Sequence, residues 1–258
     1  MAELKEITAF LDEVLCLKDF PSDSSNNGLQ FEGSRQVCKA VFAVDASNAL
    51  FCTAADLEAD FIFVHHGISW GGSLKRITSL DARRVSLLAA SSMSLYAAHL
   101  PLDAHKELGH NILLARMLGM EDPLPFARYD GSYIGYHGKL PRTMTLKEIA
   151  ALYDEKLPSE GKIRYFGDGA GKIDHVGIVS GGGDFPEAFI EGFELGIDCL
   201  ISGEMGHTAF HYAAESSMSV AALGHYRSET PGVLAVMEKV KEHFPDVEVE
   251  FVDLPTNL

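Results

Sequence analysis

Three short apolar runs in this chain end in side chains that bind metals or move protons. Asp60-Phe61-Ile62-Phe63-Val64 delivers His65-His66-Gly67. Ser94-Leu95-Tyr96-Ala97-Ala98 leads to His99, with Asp103 four residues on, and Ser219-Val220-Ala221-Ala222-Leu223 leads to His225, with Glu229 four residues on. Imidazole with carboxylate and no thiolate suits zinc, iron or manganese. His65, His66, Asp103, His225 and Glu229 offer more donors than one ion needs. They match two divalent ions about 3.5–4 Å apart that share a carboxylate or a water. A lone histidine is more often a satisfied structural residue. Here the recurrence of the pattern at strand ends, where α/β sheets bind ligands, speaks for a site. Neighbouring side chains on a strand face opposite ways, so two histidines reaching one site imply a strand that ends at Val64.

The last two runs echo each other. Ser91-Ser92-Met93-Ser94 corresponds to Ser216-Ser217-Met218-Ser219, and His225 and Glu229 lie 126 positions after His99 and Asp103. The flanking patterns repeat as well. In the first half, apolar runs at 40–44 and 60–64 are expected strands, and 49–59 and 81–90 expected helices. In the second half, 175–179 and 197–201 are expected strands, and 186–195 and 207–214 expected helices. The sequence therefore predicts an α/β protein built from a duplicated unit of largely parallel strands with helices on both faces, a three-layer arrangement. Residues 1–125 form the first repeat, 126–172 a connecting insert and 173–258 the second repeat. The stretch 230–258 is expected to finish the second repeat or to pack on and complete the other, with the metal site where the repeats meet. An amphipathic helix is expected over 3–17, one over 104–119, and one over 145–157 that opens with a Thr145/Glu148 capping box. Phe20 to Gly28 reads as a loop dense in turn formers.

Other polar clusters carry weaker signals. Glu204 comes after an expected strand end and is a candidate proton shuttle, whereas His207 and His211 share a helical face without forming the H-E-x-x-H pattern. Ser180-Gly181-Gly182-Gly183-Asp184 reads as a tight turn before a helix, with an anion cradle as the rarer alternative. Arg227 is either a phosphate contact or, failing that, a solvated surface arginine or the ion-pair partner of a carboxylate. Cys16, Cys38, Cys52 and Cys199 form no C-x-x-C pair, so a disulfide or zinc–thiolate framework is not expected.

A formal charge of −16, from 37 acidic and 21 basic residues, opposes nucleic acid and makes a DNA-bound regulator a poor reading. The mean hydropathy of +0.05 fits a globular protein, and no apolar run reaches the roughly 20 residues of a membrane helix. Without a signal-like N-terminus, the cytoplasm is the expected compartment.

The chain resembles the GTP cyclohydrolase 1 type 2 homologues, the NIF-three-like family. The resemblance is carried by Asn26-Asn27-Gly28-Leu29-Gln30, His65-His66, Ala98-His99-Leu100-Pro101-Leu102-Asp103 with Gly109-His110-Asn111, Gly135 to Leu140, Ser180 to Gly183, Ser202-Gly203-Glu204 and Gly224 to Glu229. It spans nearly the whole length. It implies two intertwined α/β repeats, a dinuclear centre on His65, His66, Asp103, His225 and Glu229, and a toroidal homohexamer. Asn27, Arg227 and His99 are then expected to support the ligands from behind or to touch substrate. The chain departs from the family at Asn26, usually Asp, and at Gly67, often Pro. Two functional classes remain: a metal-dependent hydrolase on a nucleotide-like substrate, or a non-catalytic metal-binding or regulatory assembly in which the ions are stored, delivered or structural.

Overall fold

One side chain–backbone device recurs in both halves of the chain in the computed structural model, which describes residues 1–74, 76–157, 163–167 and 171–256. The Asp60 carboxylate accepts the amides of Cys38 and Lys39 at 2.7 and 3.0 Å, and Asp198 accepts those of Asp174 and His175, both at 2.9 Å. Around each aspartate the backbone bonds match. Ser94 N donates to Asp60 O at 2.8 Å and Ser219 N to Asp198 O at 2.9 Å, while Met93 N–Leu88 O and Met218 N–Ala213 O are both 3.0 Å. Ser92 and Ser217 both take the left-handed conformation, at φ 52° and 58°. The duplication expected from the echoing motifs is thus present at the level of single hydrogen bonds.

In chain order the elements are β1 (Ala2–Glu3), α1 (Leu4–Val14), a single 3-10 turn (Leu17–Asp19), β2 (Gly28–Phe31), β3 (Gln36–Val37), β4 (Lys39–Asp45), α2 (Asn48–Asp56), β5 (Phe61–His66), α3 (Ser79–Ala90), β6 (Ser94–Ala97) and α4 (Leu100–Ala104). Next come α5 (His110–Met117), β7 (Leu124–Tyr129), β8 (Ser132–Met144), α6 (Leu146–Lys156), β9 (Arg164–Phe166), β10 (Ile173–Val179), α7 (Pro186–Leu195) and β11 (Cys199–Ser202). The chain ends with α8 (Ala209–Glu215), β12 (Ser219–Ala222), α9 (His225–Ser228), α10 (Thr230–His243) and β13 (Glu248–Phe251). It divides into two compact units: Met1–Leu102 with Val233–Leu254, and Asp103–Gly232.

Unit 1 holds a five-stranded sheet ordered β13-β4-β5-β6-β2, parallel except for β2. Strand alternation splits its residues between two faces. Val41, Ala43, Ile62, Val64, Leu95 and Ala97 pack with Leu50, Phe51 and Leu88 of α2 and α3. The other face is aromatic, with Phe42–Phe63 and Phe63–Tyr96 centroids 5.5 and 5.8 Å apart, and Tyr96 Oη donates to Asp12 of α1 at 2.8 Å. The C-terminal strand does not finish the second repeat. β13 pairs with β4, and Lys39 Nζ binds Glu248 and Glu250 at 2.9 and 2.8 Å, so residues 233–254 complete the first unit.

Unit 2 holds a six-stranded sheet ordered β7-β8-β10-β11-β12-β9, with β10, β11 and β12 parallel. Val176, Ile178, Cys199, Ile201 and Ala221 bury against Leu114, Leu146, Ile149 and Tyr153 of α5 and α6. Much of the expected connecting insert is part of this sheet: the β7–β8 hairpin pairs antiparallel onto β10. The rest of that insert holds α6 and β9, and 158–162 and 168–170 lie outside the described residues. The capping box forms as expected, with Glu148 N donating to Thr145 Oγ1 at 3.2 Å and Thr145 N to Glu148 Oε2 at 2.7 Å. The single helix expected over 104–119 is broken. His105 Nδ1 accepts the amides of Glu107 and Leu108 at 3.1 and 2.9 Å, closing a turn that ends α4, and α5 restarts after Gly109.

Candidate metal centre

In unit 1 the strand β5 does not end at Val64. Asp45 extends β4 far enough to pair with His66, and Ala46 N donates to His66 O at 2.8 Å, so the ladder carries both histidines. Their rings still converge, 4.4 Å apart, and His99, two residues beyond β6, lies 5.2 Å from His65 and 5.6 Å from His66. One ring nitrogen of each lies within 4.8 Å of the others. His65 is fully buried.

Each imidazole is held from behind. His65 Nδ1 donates to the Ala98 carbonyl at 2.8 Å, His66 Nδ1 meets Asp45 Oδ1 at 2.8 Å and His99 Nδ1 meets Asp23 Oδ1 at 2.9 Å. Asp23 is a hub, accepting also Ser25 N at 2.9 Å, Asn27 Nδ2 at 2.8 Å and Leu100 N at 3.0 Å. Burial opposes its charge, but the hydrogen bonds and charge from His99, Asn27 and the Ser25 amide outweigh it and lower its pKa. Asn27 Oδ1 accepts His99 N at 2.8 Å, so Asn27 supports His99 from behind. Neither Asp23 nor Asp45 is among the residues singled out from sequence. Asp45 stands at a strand's carboxyl end and is open to the same rule that finds His65; Asp23 lies inside a run of turn formers with no periodic signal.

The two family departures have local reasons. Asn26 Nδ2 donates to Ser69 Oγ at 2.8 Å, a bond a carboxylate has no proton to make. Gln30 Oε1 accepts Ile68 N and Ser69 N at 2.8 and 3.0 Å and lies so close to Gly67 that a Cβ there would collide with it.

In unit 2 the groups gather around the turn after β10. Ser180 Oγ donates to Asp103 Oδ1 at 3.0 Å, and Asn111 ties the turn down by accepting Ser180 N at 2.6 Å. Gly181, at φ 58°, lies under Glu229 and His225, where a Cβ would collide with the Glu229 carboxylate. His225 Nε2 is 3.2 Å from Glu229 Oε1 and its Nδ1 is 2.6 Å from Glu204 Oε1. Desolvation works against a charged His225, yet hydrogen bonds and charge from Glu229 and Glu204 prevail and raise its pKa to about 10. Asp103 and Glu229 are almost fully buried, 5% and 3% exposed, where a carboxylate needs hydrogen bonds or a cationic partner to stay charged.

Other candidates take structural roles. The Ser180 and Gly181 amides go to Asn111 and to Ser228 Oγ at 2.9 Å, so the turn is a scaffold rather than an anion cradle. Arg227, only 4% exposed, binds Asp154 Oδ1 at 2.8 Å and the carbonyls of Tyr153 and Leu157 at 3.0 and 3.3 Å. Its guanidinium grips the end of α6, which corrects the phosphate-contact reading in favour of the ion pair. His207 and His211 are exposed and join neither cluster.

The donor chemistry fits divalent transition cations. Unit 1 presents imidazoles backed by oxygen acceptors, the usual support of metal-bound histidines. Unit 2 presents carboxylates about an imidazole that holds a proton. Among the described residues no helix is long and apolar enough to cross a membrane.

Comparison with known proteins agrees along the full length. Residues 2–257 match the Duf34/NIF3 (NGG1p interacting factor 3) family. The chain is 43% identical over 255 residues to the GTP cyclohydrolase 1 type 2 homolog of Archaeoglobus fulgidus, covering 99% of each. It is 42% identical over 256 residues to that of Pyrococcus abyssi, covering 99% of this chain and 100% of the relative. Among solved structures, the protein ybgI, described as of unknown function, superposes with a TM-score of 0.89 at 32% identity and full coverage of both chains. A Thermus thermophilus protein gives 0.85 at 35%, again with full coverage of both. With its duplicated α/β units and imidazole–carboxylate clusters, the chain belongs to the Duf34/NIF3 family.

Proposed function

We propose that His65, His66, Asp103, His225 and Glu229 jointly hold two divalent cations, and that the protein is a metal-dependent hydrolase acting on a nucleotide-like substrate. The observation that carries the reading is the His225–Glu229 pair, where a nearly buried carboxylate is balanced by a proton on imidazole Nε2, 3.2 Å away. A divalent cation in place of that proton would meet the carboxylate charge and take up the nitrogen lone pair that the proton held. Bound divalent ions supply a water acidified toward neutral pH and a positive field for a developing anion.

The chain's own residues do the rest. Ser180 fixes the Asp103 carboxylate by its 3.0 Å hydrogen bond, and Glu204 sets the His225 ring through Nδ1 at 2.6 Å. The Glu204 side chain is 46% exposed, so it can pass a proton between the site and solvent. Arg227, clamped on α6, keeps α9 and its flanking ligands in place.

The name of the relatives, GTP cyclohydrolase 1 type 2 homolog, points to guanine nucleotides. Attack of water at guanine C8 with cleavage of the C8–N9 bond leaves a formamide, and a second water releases formate. Protein loaded with zinc, iron(II) or manganese is incubated with GTP and other nucleotides, and formate and phosphate are assayed. Release that needs both metal and Glu229 supports the reading. No turnover with any metal moves the protein to the non-catalytic class. A homohexameric ring and a cytoplasmic location belong to the same proposal. The exposed Ile190, Phe193 and Leu195 on α7 favour self-association, which sedimentation tests.

A further inference from the structure

We propose that Trp70 is a base platform, a fixed indole on which the planar ring of a nucleotide stacks beside the imidazoles of unit 1. The inference rests on the nucleotide reading above and deepens it, because it says which part of the substrate unit 1 holds and by what contact. Trp70 is then a specificity residue for ring-bearing substrates, with no part in holding cations.

Three observations carry it. The first is an apolar ring left open next to the site. Trp70 is 38% exposed, stands edge-on to His99 with centroids 5.0 Å apart and lies 6.3 Å from His66. Its polar atom is already used, because Nε1 donates to the Gly67 carbonyl at 3.0 Å, so what the ring offers is its π surface. The second is how firmly the ring is mounted. Besides accepting Ile68 N and Ser69 N, Gln30 donates through Nε2 to Asn26 O at 2.9 Å and Ser69 O at 3.2 Å. Asn26 N donates to Ser69 O at 3.1 Å and Gly71 N to Ser24 O at 2.6 Å. The stretch 23–30 that grips both sides of Trp70 is the one whose Asp23 and Asn27 hold His99. One segment therefore sets the indole and the imidazole together. A ring that only shielded the site from water has no need of such a mount, whereas a ring fixed beforehand loses little freedom when a ligand stacks on it.

The third is what the two segments lack. Residues 23–31 and 65–73 contain no lysine or arginine, so they present no cationic side chain to a phosphate. An indole instead takes a flat heteroaromatic ring, and it takes all of them, since every base has a π face. Trp70 thus separates substrates that carry a base from those that do not, and it leaves the choice among bases to other groups.

The chain supplies its own reporter, because Trp70 is its single tryptophan. Zinc-loaded wild-type protein is titrated with GMP, with the other three ribonucleoside monophosphates and with base-free tripolyphosphate, followed by tryptophan emission and by calorimetry. The nucleotides should change the emission saturably, and tripolyphosphate should leave it as it was. Trp70→Leu keeps an apolar cover and removes the π surface. It should retain the wild-type metal content by elemental analysis and lose affinity for all four nucleotides by a similar factor, about 5–100-fold, with Trp70→Phe recovering part. Its affinity for tripolyphosphate should not change. Emission that stays constant while calorimetry records a bound nucleotide overturns the platform and leaves the hydrolase reading standing. So does a leucine variant that binds nucleotides as tightly as wild type, or one that loses metal or tripolyphosphate in step with them, since the ring then serves the structure of the site. The wild-type titration needs no substitution and decides the matter where the leucine variant does not fold. Wild-type protein that binds none of the four nucleotides overturns both readings.

Discussion

Arg227 separates two accounts of the same residue, and replacing it with methionine distinguishes them. Arg227→Met keeps most of the aliphatic stem and removes the guanidinium, which is 4% exposed and bound to Asp154, Tyr153 O and Leu157 O. Hydrogen bonds from a charged donor contribute about 1.5–3 kcal/mol each when buried. The shorter carbonyl bond, at 3.0 Å, counts toward the low end of that range, and the 3.3 Å bond from the same nitrogen adds less. The Asp154 side chain is 52% exposed, so solvent screens that pair and it adds under about 1 kcal/mol. The sum is about 3 kcal/mol, which lowers the melting temperature of a chain this size by about 6–12 °C. Metal-free protein is the right sample, since bound cations would add stability of their own. Thermal and urea unfolding give the loss, and calorimetry of metal binding gives its effect on His225 and Glu229, which flank the same short helix. Arg227→Lys keeps the charge but not the fork, so it should recover less than half. A methionine variant as stable as wild type, but with weakened binding of phosphate-bearing nucleotides, would refute the clamp and restore the phosphate contact.

Two further outcomes are expected from the same geometry. Gly181→Ala puts a Cβ into the Glu229 carboxylate at a left-handed φ of 58°, so it should cost about 1 kcal/mol or more and at least one metal equivalent by elemental analysis. The cheaper outcome, normal metal content, would mean that Glu229 is not needed where it stands. His137, whose Nδ1 is 2.9 Å from His175 Nε2, has its pKa lowered by desolvation first and the nearby His175 charge second. The folded state thus resists protonation, so its stability is intact above the ordinary histidine value of 6.5 and declines as pH falls from there toward the lower folded value. His137→Phe should flatten urea midpoints between about pH 6.5 and 5, and an unchanged slope would assign the acid sensitivity to other groups.

Much of the site is legible in the sequence because its residues come directly after apolar strands. A run such as Phe61-Ile62-Phe63-Val64 has one stable place, inside a sheet, and the residues after it must emerge at the sheet's end. That logic places His65, His66, His99 and His225, and the echo between Ser91–Asp103 and Ser216–Glu229 announces the duplication. It fails where partners are distant in sequence. Asp23 reads as one turn residue among several until His99, 76 positions on, is beside it. Arg227 looks like a free cation next to a site until α6 closes on it. The helix expected over 104–119 has helical spacing throughout, yet the His105 side chain captures two amides and ends it.

By itself, the amino-acid sequence determines the repeated α/β order, the strand ends that carry imidazoles and the scarcity of basic surface, because each depends on composition, periodicity or spacing along the chain. Only the tertiary structure decides that β13 returns to β4, that Glu204 sets the His225 ring, and that the backs of three imidazoles are all committed to oxygen. Those outcomes depend on which buried polar groups find partners far away in the chain, and the cost of leaving such groups unpaired is felt only once the chain has closed around them.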